Sequence, residues 1–247
     1  ARPAEFVEPF AGGGIISLTV AFERLADHVT MVELDAQVAA VWKTILAGDA
    51  AWLAHQIRSF QLTPETLDAV LERTPASTEE LAFQTILKNR TYRGGILAPG
   101  ASKIKYGEKG KGILSRWYPE TISRRILDIA RPEIRCRITF VEGNGLEIAR
   151  QKADSSTTVF FIDPPYTAST KRAGSRLYLH SALDHAELFR IAATFAGDFL
   201  MTYDNAEELR KLAAWYGFDT ELIAMKNTHH AEMMELLIGR NLDWARR

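Results

Sequence analysis

Asp163-Pro164-Pro165-Tyr166 have the types and spacing for one kind of chemistry. Asp163 can accept a hydrogen bond from an amino group. The two prolines fix the backbone and offer no N–H, which leaves carbonyls to point at the same amine. Tyr166 presents a flat face on which a planar ring can stack. An exocyclic amine held by two acceptors keeps its nitrogen lone pair available for attack on an electrophilic carbon. Read without chemistry, the same residues are a strand ending in a proline turn, since proline at a strand end is ordinary.

Other strand ends also carry polar residues. Residues 5–8 read as a short strand running into Pro9-Phe10-Ala11-Gly12-Gly13-Gly14, and an apolar helical pattern follows over 15–25. Glycines let a ligand approach the backbone closely. Glu8 would repel a pyrophosphate there and welcome an amino group, and no lysine follows the glycines as a phosphate-gripping loop requires. The strand at 28–32 ends in Glu33-Leu34-Asp35. A carboxylate at the end of a second strand, roughly twenty residues after the glycine turn, suits the two hydroxyls of a ribose. A solvated acid is the alternative reading. The strand at 137–141 ends in Glu142-Gly143-Asn144-Gly145, where Asn144 or a backbone group could meet an adenine edge, although Asn-Gly is also an ordinary turn.

The elements that must hold these residues alternate between strand and helix. Asp163 follows 158–162, an apolar, β-branched and aromatic run that reads as a buried central strand. After it come a helix at 183–196, a strand at 199–202 with the polar end Tyr203-Asp204-Asn205, a helix to Tyr216, and two strands at 218–225 and 234–238. His229 and His230 lie between the last two, in an exposed hairpin loop, and no metal site is expected because no third ligand accompanies them. The alternation stops between residues 48 and 136. Helical patterns replace it at 50–60, 64–73 (with Thr63 as N-cap), 78–89 and 119–130, the last ended by Pro132.

Within that interruption, Arg90, Arg93, Lys103, Lys105, Lys109, Lys111 and Arg116 are opposed by Glu108 alone, with Tyr92 and Tyr106 interleaved. A flexible basic loop of this kind suits a phosphate backbone and unstacked bases; a solvated surface loop is the competing reading. Residues 167–176, bearing Lys171 and Arg172, read as a polar loop able to close over a substrate.

Composition bounds the rest. At 247 residues and 47% hydrophobic, the chain can bury a full core, and its net charge of -1 leaves any nucleic-acid case to local charge. The single cysteine, Cys136, excludes an internal disulfide and fits a reducing compartment. No run is long enough to span a bilayer and no signal-peptide pattern is present, so the expected location is the cytoplasm.

Phe6-Val7-Glu8-Pro9-Phe10-Ala11-Gly12-Gly13-Gly14 and Asp163-Pro164-Pro165-Tyr166, in that order, resemble the adenine-N6 DNA methyltransferases of the Dam type, in the α-group arrangement. The likeness extends to Asn89-Arg90-Thr91-Tyr92-Arg93-Gly94-Gly95, to Met201-Thr202-Tyr203-Asp204-Asn205 and to Glu235-Leu236-Leu237-Ile238. It implies an α/β fold with a Rossmann-like, S-adenosylmethionine-dependent methyltransferase sheet. Residues 1–48 and 136–247 would form the catalytic domain, and 49–135 an inserted, mainly helical DNA-recognition domain.

The implied cofactor is S-adenosylmethionine, held by Glu8, Pro9, Phe10, Ala11, Gly12, Gly14, Glu33, Leu34, Asn144 and Asp163. The implied catalytic residues are Asp163, Pro164, Pro165 and Tyr166, with the basic residues above contacting double-stranded DNA. The setting would be bacterial or phage-type, with a cognate restriction system as a possible companion and no obligatory protein partner. Asn144 stands where many methyltransferases carry aspartate. A lysine-bearing segment that helps close the family's cofactor site is expected upstream of Ala1. Cytosine-N4 methylation, adenine-N6 methylation of RNA and an inactive DNA-binding relative are the rival readings; a nicotinamide dehydrogenase would leave Glu8 and the basic stretch without a role.

Overall fold

The computed structural model of the chain describes residues 2–98, 100–165, 183–226 and 232–246. Seven strands form one mixed sheet: β1 (Glu5–Glu8), β2 (His28–Glu33), β3 (Ile138–Glu142), β4 (Thr158–Ile162), β5 (Asp198–Asp204), β6 (Asp219–Lys226) and β7 (Glu232–Gly239). Their order is β3-β2-β1-β4-β5-β7-β6. β1 runs parallel to β2 and to β4, and β4 parallel to β5, whereas β7 lies antiparallel between β5 and β6. This is the α/β class and the Rossmann-like sheet expected from the sequence. Strand order reverses direction between β1 and β4, and open α/β sheets place their ligand sites beyond the C-terminal strand ends at such a point.

The chain divides into two compact units: residues 2–34, 143–165 and 183–246 in one, and 35–142 in the other. In the first unit β4 supplies the centre of the core. Phe160 and Ile162 are fully buried, in a cluster with Phe189, Met201 and Ile238. The Phe160 and Phe195 rings stack with centroids 3.9 Å apart. The second unit is built of helices, principally Ala36–Leu46, Ala50–Ser59, Pro64–Leu71, Thr78–Thr91 and Pro119–Ile129, around buried Leu53, Ile57, Leu67 and Leu87. Thr63 forms the expected N-cap, exchanging hydrogen bonds with Thr66 as a capping box. Residues 35–142 hold 16 lysines and arginines against 12 aspartates and glutamates, a net +4, while the rest of the chain holds 14 against 19. The near-neutral total thus conceals opposite charges on two parts of the chain.

Several boundaries differ from those read in the sequence. β5 continues through Tyr203 and Asp204 because β7 pairs Tyr203 with Leu236 and Asp204 with Glu235. What reads locally as a polar strand end is held in the ladder by a partner more than thirty residues away. Asn144-Gly145, for which a turn is the alternative reading, is the start of a helix, Gly145–Gln151, capped by the Asn144 Oδ1, which accepts from the Leu146 N–H at 2.9 Å. Pro132 begins a short helix, Pro132–Arg135, since proline at a first helical position gives up only an N–H that would have no partner there. The helix expected over 183–196 is His185–Ala193, started by Asp184, which accepts from the Glu187 N–H at 3.0 Å.

Candidate active site

The first unit holds Glu8, the glycine turn, Glu33 and Asp163 at the C-terminal ends of β1, β2 and β4, and Asn144 at the start of the helix Gly145–Gln151. Gly12 and Gly14 adopt left-handed φ angles of +48° and +61°, which side chains disfavour. The helix Ile15–Glu23 that follows has no side-chain cap at Gly14; Glu8 reaches it instead, its Oε2 accepting from the Ser17 N–H at 3.0 Å. A Cβ built on Gly12 or Gly13 would meet nothing within 4 Å, so this turn borders open space. Ala11 is buried, with its N–H donated to the Val32 carbonyl at 2.9 Å. Pro9 is buried and Phe10 half-buried.

Both oxygens of Glu33 are oriented by backbone donors: Oε2 accepts from Gly12 at 2.9 Å and Oε1 from Leu34 at 2.8 Å. The acid at the end of β2 is therefore tied to the glycine turn after β1, a link between residues that are 21 apart in sequence. Leu34 is 46% exposed, an apolar side chain open to solvent beside that acid. The Gly143 N–H donates to the Glu33 carbonyl at 3.0 Å. Gly145 packs so closely on the turn that an added Cβ would collide with the Pro9 carbonyl oxygen, with the carbonyl carbon at 2.8 Å.

Glu8 is 3% exposed. Burial pushes its carboxyl up to about 7 from an ordinary 4.5; hydrogen bonding to Ser17 opposes the rise and the charge on Asp163 adds to it. Its folded-state pKa lies above its unfolded one, so the folded protein binds the extra proton between about pH 4.5 and 7. The associated stability is complete below the unfolded pKa and is lost as pH rises through about 7. Glu8→Gln keeps an acceptor for Ser17 without the charge. The variant is expected to gain stability relative to wild type as pH rises, by up to about 3 kcal/mol at pH 8. Urea unfolding at pH 5 and pH 8 checks this, and a difference that does not grow with pH counts against it.

Asp163 lies just past β4 and is exposed, while Pro164 is buried and Pro165 half-buried. The Thr202 hydroxyl on β5 donates to Asp163 Oδ1 at 2.7 Å. Burial, and after it the charge on Asp163, also raise the pKa values of Asp204 and Glu235, the paired residues of β5 and β7. Asp163 is thus within electrostatic reach of Glu8, Asp204 and Glu235. Tyr203 is 1% exposed, and its hydroxyl lies 3.0 Å from His185 Nδ1. Burial pushes the phenol up and the imidazole down, which favours the neutral form of each. In the sequence Thr202 stands out only as part of Met201-Thr202-Tyr203-Asp204-Asn205, with no role of its own, and His185 is not singled out. Tyr166, Lys171 and Arg172 lie outside the described residues, as do His229 and His230. Among the described residues no group of His, Cys, Asp and Glu could hold a metal ion, and no helix is long and apolar enough to cross a membrane.

The basic stretch belongs to the second unit. Short 3-10 turns at Arg93–Gly95, Glu108–Gly110 and Gly112–Arg116, with a bridge between Tyr92 and Lys103, organise what reads in the sequence as a flexible loop. Lys103 is ion-paired with Asp68. Arg116 donates to the Tyr92 carbonyl at 3.3 Å. Arg90 is partly buried, and burial followed by the charges of Arg116 and Arg125 lowers its pKa, so three guanidiniums lie within electrostatic reach. Among the described residues none of the three makes an ion pair with a carboxylate. Arg93, Lys105, Tyr106, Lys109 and Lys111 are exposed, Tyr106 at 78%.

No family model and no curated protein matches the sequence. Solved structures similar to the chain include a precorrin-6y C5,15-methyltransferase from Geobacter metallireducens, at 10% identity and a TM-score of 0.40 over 96% of this chain and 79% of that one. An rRNA methyltransferase, aviRa, from Streptomyces viridochromogenes is 12% identical with a TM-score of 0.37, covering 96% and 77%. The methyltransferase domain of a bacterial CtHen1 is 8% identical with a TM-score of 0.43, covering 96% and 90%. The fold assignment stands on the strand order of this chain.

Proposed function

We propose that the chain transfers a methyl group from S-adenosylmethionine to N6 of an adenine flipped out of duplex DNA. The observation that carries this reading is Asp163: an exposed carboxylate at the end of β4, beside the β1/β4 reversal, followed by two prolines and tethered by Thr202.

The residues of the first unit fit the cofactor. The glycine turn borders open space into which a ligand can approach the backbone. Glu33, held by two backbone N–H groups, suits the ribose hydroxyls, and exposed Leu34 suits one face of an adenine. Asn144 caps its helix through the side-chain oxygen, a task an aspartate would perform equally. When bound, S-adenosylmethionine supplies an electrophilic methyl group on a sulfonium sulfur.

Asp163 and the Pro164 carbonyl would accept hydrogen bonds from the adenine amino group and so aim its lone pair. Tyr166 would stack on the base extruded from the duplex. Positive charge develops on that nitrogen as it is alkylated, and Asp163, with Glu8, Asp204 and Glu235 in electrostatic reach, favours it. Residues 49–135, within the net-positive part of the chain, would bind the phosphate backbone as the recognition insert, with Arg90, Arg93, Lys105, Lys109, Lys111 and Arg116 as contacts and Tyr92 and Tyr106 for bases. Lys103 would serve only after leaving Asp68.

The same carboxylates favour a second reading, in which the acceptor is a small amine that attacks in its neutral form and gains positive charge as it is alkylated. One experiment separates the two. Incubation with labelled S-adenosylmethionine and unmethylated duplex DNA is expected to put label in N6-methyladenine on nucleoside analysis. Label in small amines and none in DNA would establish the second reading instead. Label in N4-methylcytosine, or in RNA alone, would move the activity to those acceptors.

A further inference from the structure

Asp163 needs a tether. It lies one residue past the end of β4, so the β4 ladder fixes neither its side-chain torsions nor the plane of its carboxylate. An acceptor that must aim an amine's lone pair cannot rotate freely, because misorientation by a fraction of an ångström at the reacting atoms costs rate.

The structure assigns that restraint to Thr202, as a positioning residue for the Asp163 carboxylate. Its hydroxyl donates to Asp163 Oδ1 at 2.7 Å across 39 residues of sequence. Thr202 is half-buried within β5. It follows Met201, the β5 partner of Ile162, and pairs with Leu237 of β7 on its other edge. Being β-branched, it has little freedom about χ1. A stiff hydroxyl on an interior strand therefore holds one oxygen of an exposed carboxylate and narrows the orientations open to the second. Valine or isoleucine would fit β5 as well as threonine does. The hydroxyl is the part that β5 itself does not require.

The inference rests on the methyl-transfer reading, and its test separates the two. Steady-state methylation of duplex DNA is measured for wild type, Asp163→Ala, Thr202→Val, Thr202→Ser and the double variant Asp163→Ala with Thr202→Val. Cofactor affinity, DNA affinity and thermal unfolding are measured alongside. Thr202→Val is expected to lower kcat roughly 10- to 100-fold, with DNA and cofactor affinities within about twofold of wild type and an unchanged melting temperature. Thr202→Ser, which restores the hydroxyl, is expected to recover most of the rate. In the Asp163→Ala background the valine substitution is expected to add no further loss, as for two residues acting through one group.

Wild-type kcat in Thr202→Val, with Asp163→Ala inactive, overturns the role of Thr202 and leaves the methyl-transfer reading intact. Full activity in Asp163→Ala, or no methylation by wild type, overturns both. Should Thr202→Val fail to fold, Thr202→Ala removes the hydroxyl without a methyl beside the carboxylate. It must then show the same loss of kcat.

Discussion

Asp163→Ala is expected to lower methyl transfer to DNA by roughly 10²–10³-fold or more, since one acceptor aimed at the reacting nitrogen is worth about as much as one donor in an oxyanion hole. Duplex affinity should stay within about threefold, because the phosphate contacts are assigned to the basic residues of 35–142. The same substitution should leave the fold intact or stabilise it. Asp163 is exposed, and its charge bears on Glu8, Asp204 and Glu235, whose carboxyls are already raised by burial. Removing it relieves like-charge crowding that serves the site rather than the fold. Single-turnover methylation, gel-shift affinity and a melting curve on one preparation check all three. Unimpaired methylation in this variant would remove the assignment of Asp163.

Gly145→Ala is expected to cost about 3 kcal/mol or more in urea unfolding, at the upper end of what overpacking costs. The added methyl would meet backbone, the Pro9 carbonyl, and not the movable end of a side chain. Relief would require the helix Gly145–Gln151 to back away from the glycine turn. Cofactor binding should fall with it, since Pro9 to Gly14 is that turn. Gly13→Ala is the contrast. Its methyl would meet nothing within 4 Å and its φ is not left-handed, so stability should change by no more than about 0.5 kcal/mol. Under the proposed reading that empty space is cofactor space, and S-adenosylmethionine affinity should drop roughly tenfold. Titration by calorimetry separates the effects. Unaltered cofactor binding in Gly13→Ala would argue that the open side of the turn serves another ligand.

Much of the scaffold is legible in the sequence because it is locally encoded. Strands at 5–8, 28–33 and 158–162 follow from short β-branched and aromatic runs. The turn at Gly12-Gly13-Gly14 follows from residues that adopt a left-handed backbone most readily, as Gly12 and Gly14 do. The starts of the helices at 50 and 64 follow from Asp49 and Thr63, whose side chains accept from the first-turn amides. The spacing from that turn to Glu33 anticipates an acid at the end of the second strand, and the structure bonds it to the Gly12 amide. The helix after Asn144 was also within reach. Asn144 followed three residues later by Glu147 has the pattern of a helix start, but Asn-Gly is the stronger signal for a turn.

The sequence by itself determined which strand ends carry polar residues, where the glycines bend the chain, and that the charge is unevenly divided along it. Only the tertiary structure decided what those residues do to one another. The Thr202–Asp163 bond, the Tyr203–His185 pair and the Pro9–Gly145 contact join residues that no local pattern relates. The raised pKa of Glu8 is likewise a property of its surroundings, since the same residue at an exposed strand end would be an ordinary acid. Propensity and turn chemistry act over a few residues and can be read along the chain. Hydrogen bonds, burial and charge act over a few ångströms, and the distances that govern them exist only once the sheet has brought β1, β4, β5 and β7 side by side.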